Sequence, residues 1–158
     1  MSMRILTIVS IALWLGMLAF FAFAVAPAAF ATLDRPSAAR LVSAVLSRAY
    51  WVGLALGLLG VAGIVARGSQ SGRWPDRLPL ALALLMLALT AWSLLALMPE
   101  ADALRDRALA ARAAGAPHAP EALRFGRVHG LSTVAGLAVM VSGAVLLALE
   151  ARGGREVP

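Results

Sequence analysis

Four long apolar runs, each without an Asp, Glu or Arg, alternate along this chain with short charged segments. The runs are Ile5–Leu33, Ala49–Ala66, Leu78–Met98 and Val128–Leu149. A hydrocarbon core about 30 Å thick takes roughly 20 helical residues at about 1.5 Å each. Backbone polar groups in lipid must pair internally, which makes each such run a helix. The pattern predicts an all-α fold: an integral membrane bundle of four transmembrane helices, spanning about 5–30, 46–66, 78–98 and 128–149.

The residues that interrupt the pattern refine it. Pro27 lies near the far end of the first run, where loss of a backbone donor predicts a kink or a helix end. Asp34-Arg35-Pro36-Ser37 reads as a turn and a new helix start. That helix is expected to begin before the membrane, because Leu41, Val42, Val45 and Leu46 face away from Arg40, Ser43 and Ser47. Tyr50 and Trp51 stand at the entrance of the second span, where amphipathic rings favour the interface. Gly53, Gly57, Gly60 and Gly63, and then Ser132, Gly136 and Gly143, supply the small faces that let helices approach closely in lipid. Trp14 and Trp92 lie deep for interfacial residues and predict aromatic packing between helices. Pro99 is a candidate end for the third span. Beyond it, Leu97, Ala101, Leu104, Ala108 and Ala111 form an apolar stripe, which predicts an interfacial helix over about 100–112. Asp102 and Asp106 on that helix read as a solvated pair among arginines rather than as a cation site.

Composition narrows the function classes. The chain has 158 residues, 61% hydrophobic and 14% charged, with a mean hydropathy of +0.86. That makes one small bundle with no room for a soluble catalytic domain, and the expectation is a non-enzymatic protein. There is no cysteine, which excludes disulfides, thiolate metal sites and thiol redox chemistry. The net charge of +6 comes from fourteen arginines and no lysine, placed at span ends and in loops where anionic headgroups lie. No basic stripe interleaves with aromatics, so nucleic acid is not an expected partner. The lipid bilayer is, with a homo-oligomer or a larger membrane complex left open. Arg4 before an apolar run, with Ala29-Phe30-Ala31, imitates a signal peptide. The length of the run and its Trp14, Phe20, Phe21 and Phe23 favour a retained first helix.

Four spans put both termini on one face of the membrane, here the terminal face; the opposite one is the distal face. Six arginines fall on the terminal face (Arg4, Arg67, Arg73, Arg77, Arg152, Arg155) and eight on the distal one (Arg35, Arg40, Arg48, Arg105, Arg107, Arg112, Arg124, Arg127). Weight on the compact second loop, from Arg67 to Arg77, favours cytoplasmic termini in a bacterial inner membrane.

Connectivity brings several unusual residues to the distal face: Pro27, Phe30, Arg48, Tyr50, Met98, Arg127 and His129. Ionisable groups near membrane depth are costly and often functional, although Arg48 and Arg127 can instead snorkel to headgroups. His129 can ligate a metal, exchange a proton or bond a neighbouring carbonyl. A two-histidine haem is disfavoured because His118 sits in a loop. A His–Met haem or a copper(I) site would draw a thioether from Met17, Met86, Met98 or Met140, of which Met98 lies at the depth of His129. No phosphate-cradling glycine loop and no Ser–His–Asp set is present.

Trp14-Leu15-Gly16, Phe20-Phe21, Val25-Ala26-Pro27 and Phe30 resemble the first helix of the transmembrane-protein-205-like family of small four-helix membrane proteins. Phe125-Gly126-Arg127-Val128-His129-Gly130-Leu131-Ser132 is similar to its signature at the start of the last helix. Ala135-Gly136 departs from it, since many relatives carry Asn there. The family's eukaryotic members are associated with resistance to platinum drugs, which implies export or trafficking. A more distant likeness to the copper-resistance D group, with haem-binding relatives, keeps metal handling open. The resemblance implies a site at Trp14, Pro27, Arg127, His129 and Ser132. The reading is therefore a small transport or metal-handling membrane protein with a polar pocket near one interface, its candidates being those five with Arg48 in support. The alternatives are a subunit of a larger membrane complex and a haem protein.

Overall fold

In a computed structural model, which describes residues 2–70, 77–115 and 120–152, four helices are long and apolar enough to cross a membrane. The first is built from α1 (Met3–Phe20), a π-helical turn (Phe21–Val25) and α2 (Ala26–Thr32). The second is α3 (Arg35–Gln70). The third joins α4 (Arg77–Trp92), a second π-turn (Ser93–Leu97) and α5 (Met98–Ala113). The fourth is α6 (Pro120–Arg152).

The two π-turns share one cause. Pro27 and Pro99 each stand two residues beyond a π-turn. Each proline ring crowds the carbonyl four residues back, that of Phe23 or Leu95, which is the middle residue of its turn. The helix widens there, so that Ala26 N–H reaches the Phe21 carbonyl and Met98 N–H the Ser93 carbonyl. Neither proline ends its helix. The interfacial helix expected after Pro99 is the direct continuation of the third span.

α1 packs on α3, α3 on α4, α4 and α5 on α6, and α6 returns to α1, closing a four-membered ring. Ile11, Trp14, Tyr50, Ile64, Met86, Val139 and Leu146 belong to its buried core. The α1–α3 seam is tight because α3 turns glycine towards α1. A Cβ at Gly53 would lie 2.3 Å from Trp14 Nε1, and one at Gly57 2.6 Å from the same ring. A Cβ at Gly60 would meet Ile11 at 3.0 Å and one at Gly63 Thr7 Oγ1 at 2.4 Å. Thr7 also donates to the Gly60 carbonyl at 3.4 Å. Gly143 brings α6 against Leu15 and Met86 in the same way. A Cβ at Gly136 would meet nothing within 4 Å, so this glycine, expected to pack, makes no close approach to another helix among the described residues.

With 36 residues, α3 is about 54 Å long and outruns the hydrocarbon core. Its surplus lies mainly at the distal face, starting at Asp34, whose carboxylate caps the helix by accepting from Ser37 N–H at 3.1 Å. The Ser37 hydroxyl and N–H hold the Asp34 carboxyl below the usual carboxylate range. Beside this extension, the end of the third span and α5 pack on the start of α6 around a second small core of Leu97, Leu104 and Val128. Arg124 ties α6 to α5 through Glu100, at 2.7 and 3.0 Å.

The terminal face is closed by an ion cluster. Glu150 on α6, 6% exposed, receives both Nη atoms of Arg67 on α3 at 2.7 and 2.6 Å. Arg4 on α1 donates to the Glu150 carbonyl and lies 3.9 Å from its carboxylate. One carboxylate thus holds three helices together.

Candidate functional site

Where α3 leaves the membrane at the distal face, it runs beside the second π-turn and α5, and the two walls enclose a groove of about 480 Å³. Arg40, Ser43 and Ser47 recur at helical spacing on the α3 wall, with Ala44 among them; Asp102 and Arg105 stand on the α5 wall. Leu94, Met98 and Pro99 complete the lining with apolar surface at the π-turn. Asp102 accepts from Ser43 Oγ at 2.8 Å and from Arg105 Nη1 at 2.7 Å, so it braces the walls against each other. Arg105 is half-buried, and its Nε, 3.6 Å from Asp106, makes no hydrogen bond among the described residues. Arg40 is exposed, donates a long hydrogen bond to Ser37 Oγ at 3.4 Å, and lies close enough to Asp34 to help hold its carboxyl in the charged form. The lining itself carries two guanidiniums against one braced carboxylate, with Asp106 beside Arg105 and Asp34 near Arg40 just outside it, and it has hydroxyls on its wall and apolar surface at its base. Chemically this suits an anion that also carries apolar surface.

A second polar feature lies inside the bundle. The Tyr50 phenol on α3 faces the hydroxyls of Ser93, at the π-turn, and Ser132 on α6. One turn before Ser93, Thr90 is 1% exposed and its Oγ1 has no hydrogen-bond partner among the described residues; the same holds for Trp14 Nε1. Burying an unpaired hydroxyl gains nothing over a methyl group. Thr90→Val should therefore leave unfolding in detergent unchanged or raise stability by up to about 1 kcal/mol. A clear loss would show that the hydroxyl has a partner.

The residues expected to form a pocket from sequence are dispersed. Trp14 is buried in the core against Gly53 and Gly57. Ser132 is half-buried beside Tyr50. Pro27, Arg48, Arg127 and His129 are exposed. The His129 ring stacks on Phe125 at 6.0 Å with planes 12° apart, and Thr133 donates to its carbonyl. Met98 is buried and lines the groove, whose lining does not include His129. Among the described residues no three His, Asp or Glu side chains cluster as metal ligands do. His118 lies outside the described residues. Two features escaped the sequence: the groove and Glu150. The signal for the groove was there, since Arg40, Ser43 and Ser47 form a polar stripe and Asp102 and Arg105 another, on helices joined to adjacent spans.

Fold and site together define a small multi-pass membrane protein, a helical bundle capped on one side by its own helix extensions. A family described as a domain of unknown function (DUF4149) matches residues 9–110, and the chain belongs to that family. The match covers both walls of the groove and stops before α6, so Phe125–Ser132 falls outside it. No curated protein and no solved structure matches the chain.

Proposed function

We propose that this is a non-enzymatic, ligand-handling protein of a bacterial inner membrane, with cytoplasmic termini, and that its ligand is an anion received between α3 and α5 at the distal face. The observation that carries this reading is the pairing of Arg40 and Arg105 across a groove that ends on Leu94 and Met98. Buried or half-buried guanidinium next to hydroxyls is the chemistry that recognises phosphate and carboxylate. The likeness to the transmembrane-protein-205-like family, whose eukaryotic members are associated with resistance to platinum drugs, supports export or trafficking as the kind of role, while the anion is inferred from the groove alone. The arginines of the short second loop support the orientation.

The test is titration of protein in neutral nanodiscs with glycerol 1-phosphate, which offers the anion without a tail. Arg40→Gln, at an exposed position where folding is not at stake, should weaken binding about tenfold, the loss expected for one charge-assisted hydrogen bond. Added salt should weaken the wild type further. Binding that ignores both Arg40→Gln and salt would refute the reading.

A further inference from the structure

The groove does not stop at its apolar base. A second groove, of about 530 Å³, is lined by Trp51, Leu54, Ala55 and Leu58 on α3 and by Leu87, Ala88 and Ala91 on α4. On α3 the residues of the two grooves form one series at helical spacing, Arg40, Ser43, Ala44 and Ser47 followed by Trp51, Leu54, Ala55 and Leu58. On the third span, Arg105, Asp102, Met98 and Leu94 lead to Ala91, Ala88 and Leu87 in the same direction. Ser47 and Trp51 are one helical turn apart, as are Leu94 and Ala91, so the grooves meet end to end along one seam.

We infer that this seam is a binding site for an anionic phospholipid of the distal leaflet, with its phosphate between Arg40 and Arg105 and one acyl chain lying along Trp51, Ala55, Leu58, Leu87 and Ala88. The inference rests on the reading of the polar groove as an anion site and adds the tail.

Three observations fix the occupant. The lining of the polar end carries two arginines against one carboxylate and sits at the end of the span, where headgroups lie; Trp51, 59% exposed, stands at the junction, as an interfacial ring does. The lower groove has no charged lining residue, and Ala55, Ala88 and Leu58 are exposed in the part of the bundle that faces hydrocarbon. Its depth also fits. From Ser47 to Leu58 the helix rises about 16 Å, against about 15 Å for one leaflet of the core. Alanine at 55, 88 and 91 is what opens the channel, because a larger side chain at any of them would close it. A soluble anion would use the arginines and leave this lower groove without a role.

Native mass spectrometry of protein released from nanodiscs of equal parts phosphatidylglycerol and phosphatidylcholine tests the inference, run beside the glycerol 1-phosphate titration. Wild type should retain phosphatidylglycerol in preference to phosphatidylcholine. Arg40→Gln should remove that preference. Ala55→Leu with Ala88→Leu, which fills the lower groove with side chains already common on these faces, should cut phosphatidylglycerol retention several-fold while leaving glycerol 1-phosphate affinity unchanged. If the double variant retains lipid like the wild type, the tail site is overturned and the anion site stands. If neither phosphatidylglycerol nor glycerol 1-phosphate responds to Arg40→Gln, both fall together.

Discussion

Replacing Glu150 by alanine should cost about 3–5 kcal/mol of bundle stability, the range for removing one partner of a buried ion pair. The size follows from what is left behind. The side chain is 6% exposed, and Arg67, at 29%, sets two nitrogens on its two oxygens at 2.7 and 2.6 Å. Without the carboxylate, Arg67 loses both of its hydrogen bonds to α6 and Arg4 loses the carboxylate 3.9 Å away, so two positive charges at the end of the bundle lose the anion they share. The pair's formation is another matter, since desolvating three charged groups offsets much of their attraction. The asymmetry gives a graded series. Glu150→Gln retains shape and accepting capacity and should fall between wild type and Glu150→Ala. An alanine variant that unfolds within about 1 kcal/mol of wild type, in steric-trapping or SDS-unfolding measurements, would show that the cluster is a solvated contact of the kind usually worth that little.

Glu150 also marks where sequence reading reached its limit. The four spans are legible because length and absence of charge are one-dimensional properties, and lipid then permits only a helix. Placing the end of the fourth span at Leu149 is sound by that criterion, but it makes Glu150 part of a tail. Its burial depends on Arg67 and Arg4, which arrive from 83 and 146 residues away. The candidate site shows a related gap. Depth in the membrane is readable from position along a helix, so Pro27, Arg48, Arg127 and His129 do fall near the distal face. Azimuth is not readable in the same way. Successive residues turn by about 100°, so Val128 enters the second core while His129, next to it, is exposed. Arg48 likewise points outward although Ala49 and Tyr50 are buried. The prolines were visible, but whether a proline ends a helix or widens it depends on the packing on either side. Here the helix continues beyond both, through the apolar residues 28–31 after Pro27 and, after Pro99, through a charged segment whose Leu104 and Ala108 are buried.

The second large effect is expected at Gly57→Leu, where an added side chain is blocked from both α1 and α4. Even the first carbon of a side chain would sit 2.6 Å from Leu87 Cδ2 on one side and 2.6 Å from the Trp14 ring on the other. Leu87 can swing towards the outer groove it lines, but Trp14 cannot move far, because it is wholly buried and its ring is pressed against Gly53 as well. Lipid makes this site more sensitive than a soluble core would be. The surrounding acyl chains are as apolar as leucine, so burying more hydrocarbon brings no compensating gain, and close packing is what holds the helices together. The expected loss is at or above the upper end of the roughly 1–3 kcal/mol that overpacking costs, read in the same unfolding assays. Gly57→Ala should show a smaller part of it, and Trp14→Phe, which removes the benzo ring from the contact, should partly rescue Gly57→Ala in a double-mutant cycle. Gly136→Ala is the matched control. Its added carbon meets nothing within 4 Å, and alanine is the better helix former, so that variant should be neutral or slightly stabilising. Equal behaviour of the alanine variants at 57 and 136 would mean that α1 does not ride on the glycine face of α3, and the seam that seats Trp14 in the core would have to be redrawn.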